Sequence, residues 1–212
     1  AESVRRALQA QQNGAFDAEI APVTVAGRKG EVLIASDEQP GKCNIEKIPS
    51  LRAAFKKDGT ITAASSSSIN DGAAALVLSS EAYAVAHSLK PIARIVAQAS
   101  FAQAPEWFTT APVGAIQSVL GKAGWAVADV DLFEINEAFA TVAMVPIQEL
   151  GISHEKVNVN GGACALGHPI GASGARILVT LIHALQARGL HKGVASLCIG
   201  GGEATAMAIE LV

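Results

Sequence analysis

The sequence predicts an α/β fold, a sheet covered by helices on both faces, and three observations support this. From Pro91 onward, short apolar runs alternate with helical patterns, the order that layered strands and helices produce. Hydrophobic residues are 50% of the 212 but aromatics only 4%, so Ala, Val, Ile and Leu with 20 glycines suit closely packed layers. Two apolar strands joined by a glycine turn end the sequence and are expected to pair antiparallel.

Residues 1–10 read as a helix already under way, although loss of an initiator Met before a small residue also exposes such an end. Asn13-Gly14 stops it. Residues 20–25 and 31–34 are short β-like runs around the turn Gly27-Arg28-Lys29-Gly30. Residues 40–50 are polar and irregular, and 51–57 are expected to form a short helix stopped by Asp58-Gly59. Four consecutive serines follow within 60–68, then the turn Asn70-Asp71-Gly72. Residues 73–78 are predicted as a fully apolar strand and 81–87 as a short helix. Beyond Pro91 come a strand at 92–99, a helix at 113–122 closed by Gly124, a strand at 130–135 and a helix at 137–150 closed by Gly151. A short strand at 157–159 precedes a helix in which Ile177, Leu178, Leu181, Ile182 and Leu185 fall at helical spacing, ending near Gly189. Strands at 194–199 and 204–212 finish the sequence. The run 73–78 echoes 204–209, either by chance or because two related halves each end this way, which would set a boundary near 87–91.

Charged residues are 17% and the formal net charge is -3, with no basic run, which argues against a nucleic-acid or acidic-membrane partner. No apolar stretch reaches about 18 residues, and residues 1–12 do not have the form of a signal peptide. Cys43, Cys164 and Cys198 include no CxxC pair. A soluble, reduced, cytoplasmic protein is the expectation.

Three segments concentrate the chemistry. Residues 160–176, Asn-Gly-Gly-Ala-Cys-Ala-Leu-Gly-His-Pro-Ile-Gly-Ala-Ser-Gly-Ala-Arg, hold five glycines, without the Lys of a phosphate loop or the order of a dinucleotide fingerprint. They set His168 between Gly167 and Pro169 just before a helix, whose N-terminus disfavours an imidazolium and keeps a neutral base available. Cys198-Ile199-Gly200-Gly201-Gly202 puts a thiol at a strand end, buried and inert on the plainer view. The glycines after it leave backbone N–H groups able to bind an oxyanion, each such donor being worth about 3–4 kcal/mol in a transition state. Asn136-Glu137-Ala138-Phe139-Ala140 lies at a strand-to-helix junction; alone it reads as an Asn cap with an acid in the first helical turn and carries no function.

Together, in this order and near this spacing, the three segments resemble the thiolase family, and the resemblance covers the whole sequence. It implies acyl-CoA C-acyltransferase chemistry, the condensation of acyl-CoA or the thiolysis of 3-ketoacyl-CoA. It also implies a five-layered αβαβα architecture of two similar halves with an inserted loop domain, with coenzyme A thioesters as substrates and no metal or redox cofactor. On this basis residues 1–69 are expected to be part of the loop domain, 70–88 the end of the N-terminal half, and 89–212 the C-terminal domain. His168 resembles the base that activates a nucleophilic thiol and then helps hold a thioester oxygen. Asn136 resembles the residue that positions a water in that oxyanion site. Cys198 resembles the acid/base at the α-carbon, and the Gly200 N–H half of a second oxyanion hole. Residues 60–72, with Ala63 and the Ser67 hydroxyl, would cover the pantetheine arm, and Phe55, Phe108, Ala138 and Phe139 would line its channel.

The departures matter as much. None of the three cysteines matches the family's nucleophile, a histidine of the loop domain is absent, Ser65 replaces an Asn, and 40–49 match poorly. The expectation is therefore a C-terminal portion of a protein about twice as long, through gene truncation, proteolysis or a split subunit. It would be inactive alone and would assemble as a dimer or tetramer with its other half. A non-catalytic CoA-binding or scaffold fragment is one alternative. A β-ketoacyl synthase relative is another, disfavoured because Cys198 and the glycines after it stand where such enzymes place a second histidine.

Overall fold

The computed structural model describes residues 1–28 and 30–212; Lys29, in the predicted turn, lies outside the described residues. Helix α1 (Glu2–Gln12) buries Val4, Ala7 and Ala10 on one face. The hairpin β1 (Val23–Gly27) and β2 (Gly30–Ile34) is antiparallel, and every residue described in it is exposed. Helix α2 (Glu81–Ala86) starts where the Ser80 hydroxyl accepts the Tyr83 N–H.

The main sheet has four strands in the order β3 (Ala93–Ala102), β6 (Glu203–Leu211), β5 (Lys192–Ile199) and β4 (Leu132–Ile135). The last two strands pair antiparallel as predicted, Cys198 opposite Ala204, while β4 runs parallel to β5. A parallel pair needs a crossover, and α6 (Ser173–Arg188) supplies it. Helices α3 (Ala111–Ala123) and α4 (Ala140–Leu150) cover one face, where Ile116, Val119, Phe133, Val142 and Val194 make one core cluster. On the other face α6 packs Ile177, Leu181 and Leu185 against Leu132, Ala195 and Ile209. Helices α3, α4 and α6 end at Gly124, Gly151 and Gly189, all with φ between 63° and 68°, where a side chain would strain the backbone.

Four expectations need correction. Residues 51–57 are not a helix: Ala54 N–H donates to Ile61 O, and Ala53 bridges Thr62, so this stretch folds back through the Lys56–Gly59 turn. Residues 73–78 form no strand, because an extended apolar run needs a partner to become one and none is present among the described residues; Val77 is 99% exposed. Their resemblance to 204–209 therefore has no structural counterpart here, since 204–209 lie inside β6. Helix α4 begins at Ala140 rather than Glu137, leaving Asn136 and Glu137 in a non-helical connection. The strand at 157–159 reduces to one parallel bridge, Val157 to Phe133.

Candidate active site

Strands β4 and β5 are parallel, so their carboxyl ends point the same way, and ligands of α/β sheets gather at such ends. Beyond β4 the Asn136 N–H donates to Ser196 O at 2.9 Å, which seats Asn136 beside β5. Cys198, two residues further along that strand, lies on the same face as Ser196. Asn136 is buried, and its side-chain nitrogen stands 3.3 Å from His168 Nε2.

The tautomer of His168 follows from its other nitrogen. Ser173 is buried at the start of α6, and its hydroxyl donates to Pro169 O at 3.0 Å. Its proton thus spent, Ser173 Oγ accepts from His168 Nδ1 at 2.5 Å. Nε2 is left with a lone pair, and Asn136 donates to it. Burial, then the Arg176 charge, push the imidazole below the usual histidine range, so the neutral form is held. Asn136 Oδ1 is buried with no partner, an acceptor free for a water or a ligand donor. Ser173 was not singled out by sequence reasoning; its signal was a hydroxyl within 160–176, at the predicted start of a helix.

Cys198 is 8% exposed, and burial raises its thiol to about 11, so it carries its proton at neutral pH. It belongs to the same cluster as Ala138, Phe139 and Phe108. Phe139 meets Phe108 and Phe55 edge to face, with centroids 6.2 and 6.4 Å away. Two of the aromatic residues proposed from sequence, Phe108 and Phe139, thus pack against the core cluster that holds the thiol, and Phe55 joins them through Phe139.

The serine-rich segment lies across this surface. Ser67 N–H and Oγ both donate to Ala138 O, at 3.0 and 3.1 Å, so the hydroxyl can only accept from a ligand. Ser66 bridges Phe139, and Ser68 O accepts the His168 N–H at 2.9 Å, tying the segment to both sides of the site. Ala63 is exposed in a single turn three residues earlier. A shallow cavity of about 400 Å³ opens alongside, between residues 70–74 and Pro169, Ile170, Gly171 and Ala172. Gly200 follows β5 in an exposed turn, with open space where a Cβ would stand.

The other two cysteines are poorly placed for nucleophilic attack. Cys164 is part-buried beside the Glu137 carboxylate, and desolvation and that charge push its thiol far above the usual range. Cys43 packs beside Val4 and Ala7 on the α1 side, and among the described residues no hydrogen bond joins it to His168. Among the described residues no three His, Cys, Asp or Glu side chains are grouped to hold a metal ion, and no helix is long and apolar enough to cross a membrane.

Residues 89–211 match the model of the family "Thiolase, C-terminal domain", and residues 1–82 match that of "Thiolase, N-terminal domain". The acetyl-CoA acetyltransferase of Escherichia coli K12 is 53% identical over 209 residues, which are 98% of this chain and 53% of that protein. The cytosolic acetyl-CoA acetyltransferase of Mus musculus is 50% identical over 211 residues, 98% of this chain and 53% of that protein. The crystal structure of the Bacillus anthracis acetyl-CoA acetyltransferase superposes with a TM-score of 0.95 at 47% identity, over 99% of this chain and 54% of that one. The chain therefore spans about half the length of the curated relatives it matches, and part of the N-terminal domain's sequence lies within it.

Proposed function

The chain belongs to the thiolase family, and from that premise we propose that it supplies the proton transfers and oxyanion contacts of an acetyl-CoA C-acetyltransferase reaction. The observation that carries this reading is the chain of hydrogen bonds from Pro169 O through Ser173 and His168 to Asn136, set beside the Cys198 strand end.

In thiolysis, the neutral Nε2 of His168 takes the proton of an attacking thiol, whose sulfur bonds to the keto carbon of a 3-ketoacyl-CoA. The C–C bond to the α-carbon breaks, and its electron pair leaves as the enolate of acetyl-CoA. Cys198 protonates that carbon and becomes a thiolate. Condensation runs the same steps backwards. The resting protonation states match the start of thiolysis, Cys198 holding its proton and His168 lacking one. Enolate charge would fall on the thioester oxygen, within reach of protonated His168 and the Asn136 site, with the Gly200 N–H serving the tetrahedral stage.

Neither Cys164 nor Cys43 suits the attacking role, so the nucleophilic thiol comes from sequence other than these 212 residues. Coenzyme A enters as substrate, its pantetheine arm over Phe55, Phe108, Ala138 and Phe139 and under Ala63 and Ser67; the scheme calls for no metal or redox cofactor. The partners are acyl-CoA or 3-ketoacyl-CoA and further copies in a homo-oligomer. The cytosolic mouse relative supports a cytoplasmic setting.

Acetoacetyl-CoA thiolysis tests the proposal. The purified chain alone should show none. Adding a polypeptide that carries the family's nucleophilic cysteine should restore turnover, and Cys198→Ala or His168→Ala should abolish it. Turnover by the chain alone, or restored turnover indifferent to both substitutions, overturns the assignment; CoA binding without restored turnover would favour a non-catalytic binding role.

A further inference from the structure

Glu137 carries a buried carboxylate that the reaction above does not use. Its Oε2 accepts from the Ser3 hydroxyl at 2.8 Å and from the Cys164 N–H at 3.1 Å, and its Oε1 from Asn158 Nδ2 at 3.2 Å. These donors come from α1, from the turn after Val157, and from the short helix α5 (Ala163–Leu166) inside the glycine-rich segment. Gly162 leaves room for the carboxylate: a Cβ there would lie 2.3 Å from the Glu137 carboxyl carbon. Ser3 completes the clasp, its Oγ also accepting the Gly162 N–H at 2.8 Å.

We propose that Glu137 is the positioning residue of His168, its hydrogen-bonded carboxylate fixing the segment that delivers the imidazole to Asn136. The acyl-transfer importance of that geometry rests on the function proposed above. The lever is short: Gly167 N–H closes α5 on Ala163 O at 2.8 Å, and His168 is the next residue. One dipeptide thus meets the base from two sides. Asn136 touches the ring, and Glu137 holds the backbone leading to it.

An amide cannot replace this carboxylate. Cys164 N–H is a backbone donor and cannot reverse. Asn158 cannot turn either, because its Oδ1 accepts Ile135 N–H and its Nδ2 donates to Ile135 O, both at 2.8 Å. Both carboxylate oxygens therefore face fixed N–H groups, and Glu137→Gln sets N–H against N–H in either amide orientation. The substitution nearly keeps shape and removes only acceptance, so its effect isolates the hydrogen bonds.

The test is nitrogen-15 NMR of the histidine-labelled 212-residue chain. In the wild type, His168 should appear as one tautomer, protonated at Nδ1, with a titration midpoint below that of an ordinary histidine. In Glu137→Gln the His168 signals should move toward a mixture of both tautomers, and the midpoint should rise toward the ordinary value. The signals of His87 and His191 should stay unchanged. Once turnover is restored with the nucleophile-bearing polypeptide, kcat should fall on the order of 10- to 100-fold with little change in KM, the scale of a misplaced catalytic group. Wild-type His168 signals in folded Glu137→Gln overturn the proposal. Should that variant not fold by circular dichroism, Ser3→Ala removes one donor and is read likewise: a smaller shift in the same direction supports positioning, and none overturns it. If the NMR changes occur but turnover is never restored, the acyl-transfer reading fails while positioning stands.

Discussion

Residues 89–212 and residues 13–80 use their apolar side chains in opposite ways. The first stretch contains all the largest fully buried side chains, among them Phe133, Ile116, Ile177 and Val194. The second exposes Val23, Val32, Leu33, Phe55, Ile69 and Val77, and its hairpin buries no residue that is described. Yet the second stretch is bonded to the candidate site, at Ser67 on Ala138 and at Ser68 on His168. One stretch encloses a core; the other is held by local pairing, in the hairpin and the fold-back at 53–62, and by bonds to the site that core presents. Patches of exposed apolar surface on this scale mark surface that another body covers.

The largest effect that would break this contrast comes from the core. Phe133→Ala should cost about 3–5 kcal/mol, the usual loss for emptying a fully buried aromatic position, read as a lower denaturation midpoint. A loss under about 1 kcal/mol would mean that residues 89–212 do not hold themselves together as argued.

Next comes the buried carboxyl between β4 and α6. Glu134 is 1% exposed, and burial lifts it to about 8, against the pull of Arg176 at 3.4 Å and with Glu19 and Glu137 adding to the rise. The folded protein holds this proton more tightly than the unfolded chain does. The associated stability is fully present below the unfolded value of 4.5 and is lost as pH rises through about 8. Between pH 6 and 9 this loss should be about 2–3 kcal/mol, from the roughly 1.4 kcal/mol that each pKa unit carries. Glu134→Gln, which has no such proton to lose, should flatten the fall in melting temperature over that range; Glu19, raised to about 7, leaves a residual slope. An unchanged slope would remove Glu134 as its source.

Ser173→Ala should have a smaller effect on stability, about 1–2 kcal/mol, by leaving the His168 Nδ1 proton without an acceptor. The same variant should free the ring to exchange tautomers, visible in the nitrogen-15 spectrum. A spectrum identical to wild type would show that the packing of residues 89–212, and not Ser173, sets the tautomer.

The same contrast governs how much could be read from sequence. Helices α1, α3 and α6 and strands β5 and β6 are marked locally, by hydrophobic period and by the glycines that end them. Residues 73–78 carry a strand's composition, but strand formation depends on a partner that local composition does not contain. At 51–57, helix-forming residues yielded to the fold-back that joins Ala54 to Ile61. In the site, His168 and Cys198 stood out through their glycine-rich settings, and Asn136 only through the resemblance of the three segments taken together. Ser173 and Glu137 did not, since a side-chain hydrogen bond is decided by backbone direction. The bond from Ser3 to Glu137 spans 134 residues, a separation at which no spacing rule operates.

The smallest expected effect sharpens the contrast most. Val77 is 99% exposed in the apolar run that pairs with nothing among the described residues, so Val77→Ala should change the stability of the 212-residue chain by less than about 0.5 kcal/mol. No transfer free energy is lost where no surface was buried, and no cavity opens. Repeating the measurement with the nucleophile-bearing polypeptide present separates two outcomes. If that polypeptide covers residues 73–78, the same truncation should weaken assembly by about 1–2 kcal/mol, the worth of burying two methyl groups. If assembly is indifferent to it, the exposed run serves some other contact, and residues 13–80 stay joined to the core through bonds such as those at Ser67 and Ser68.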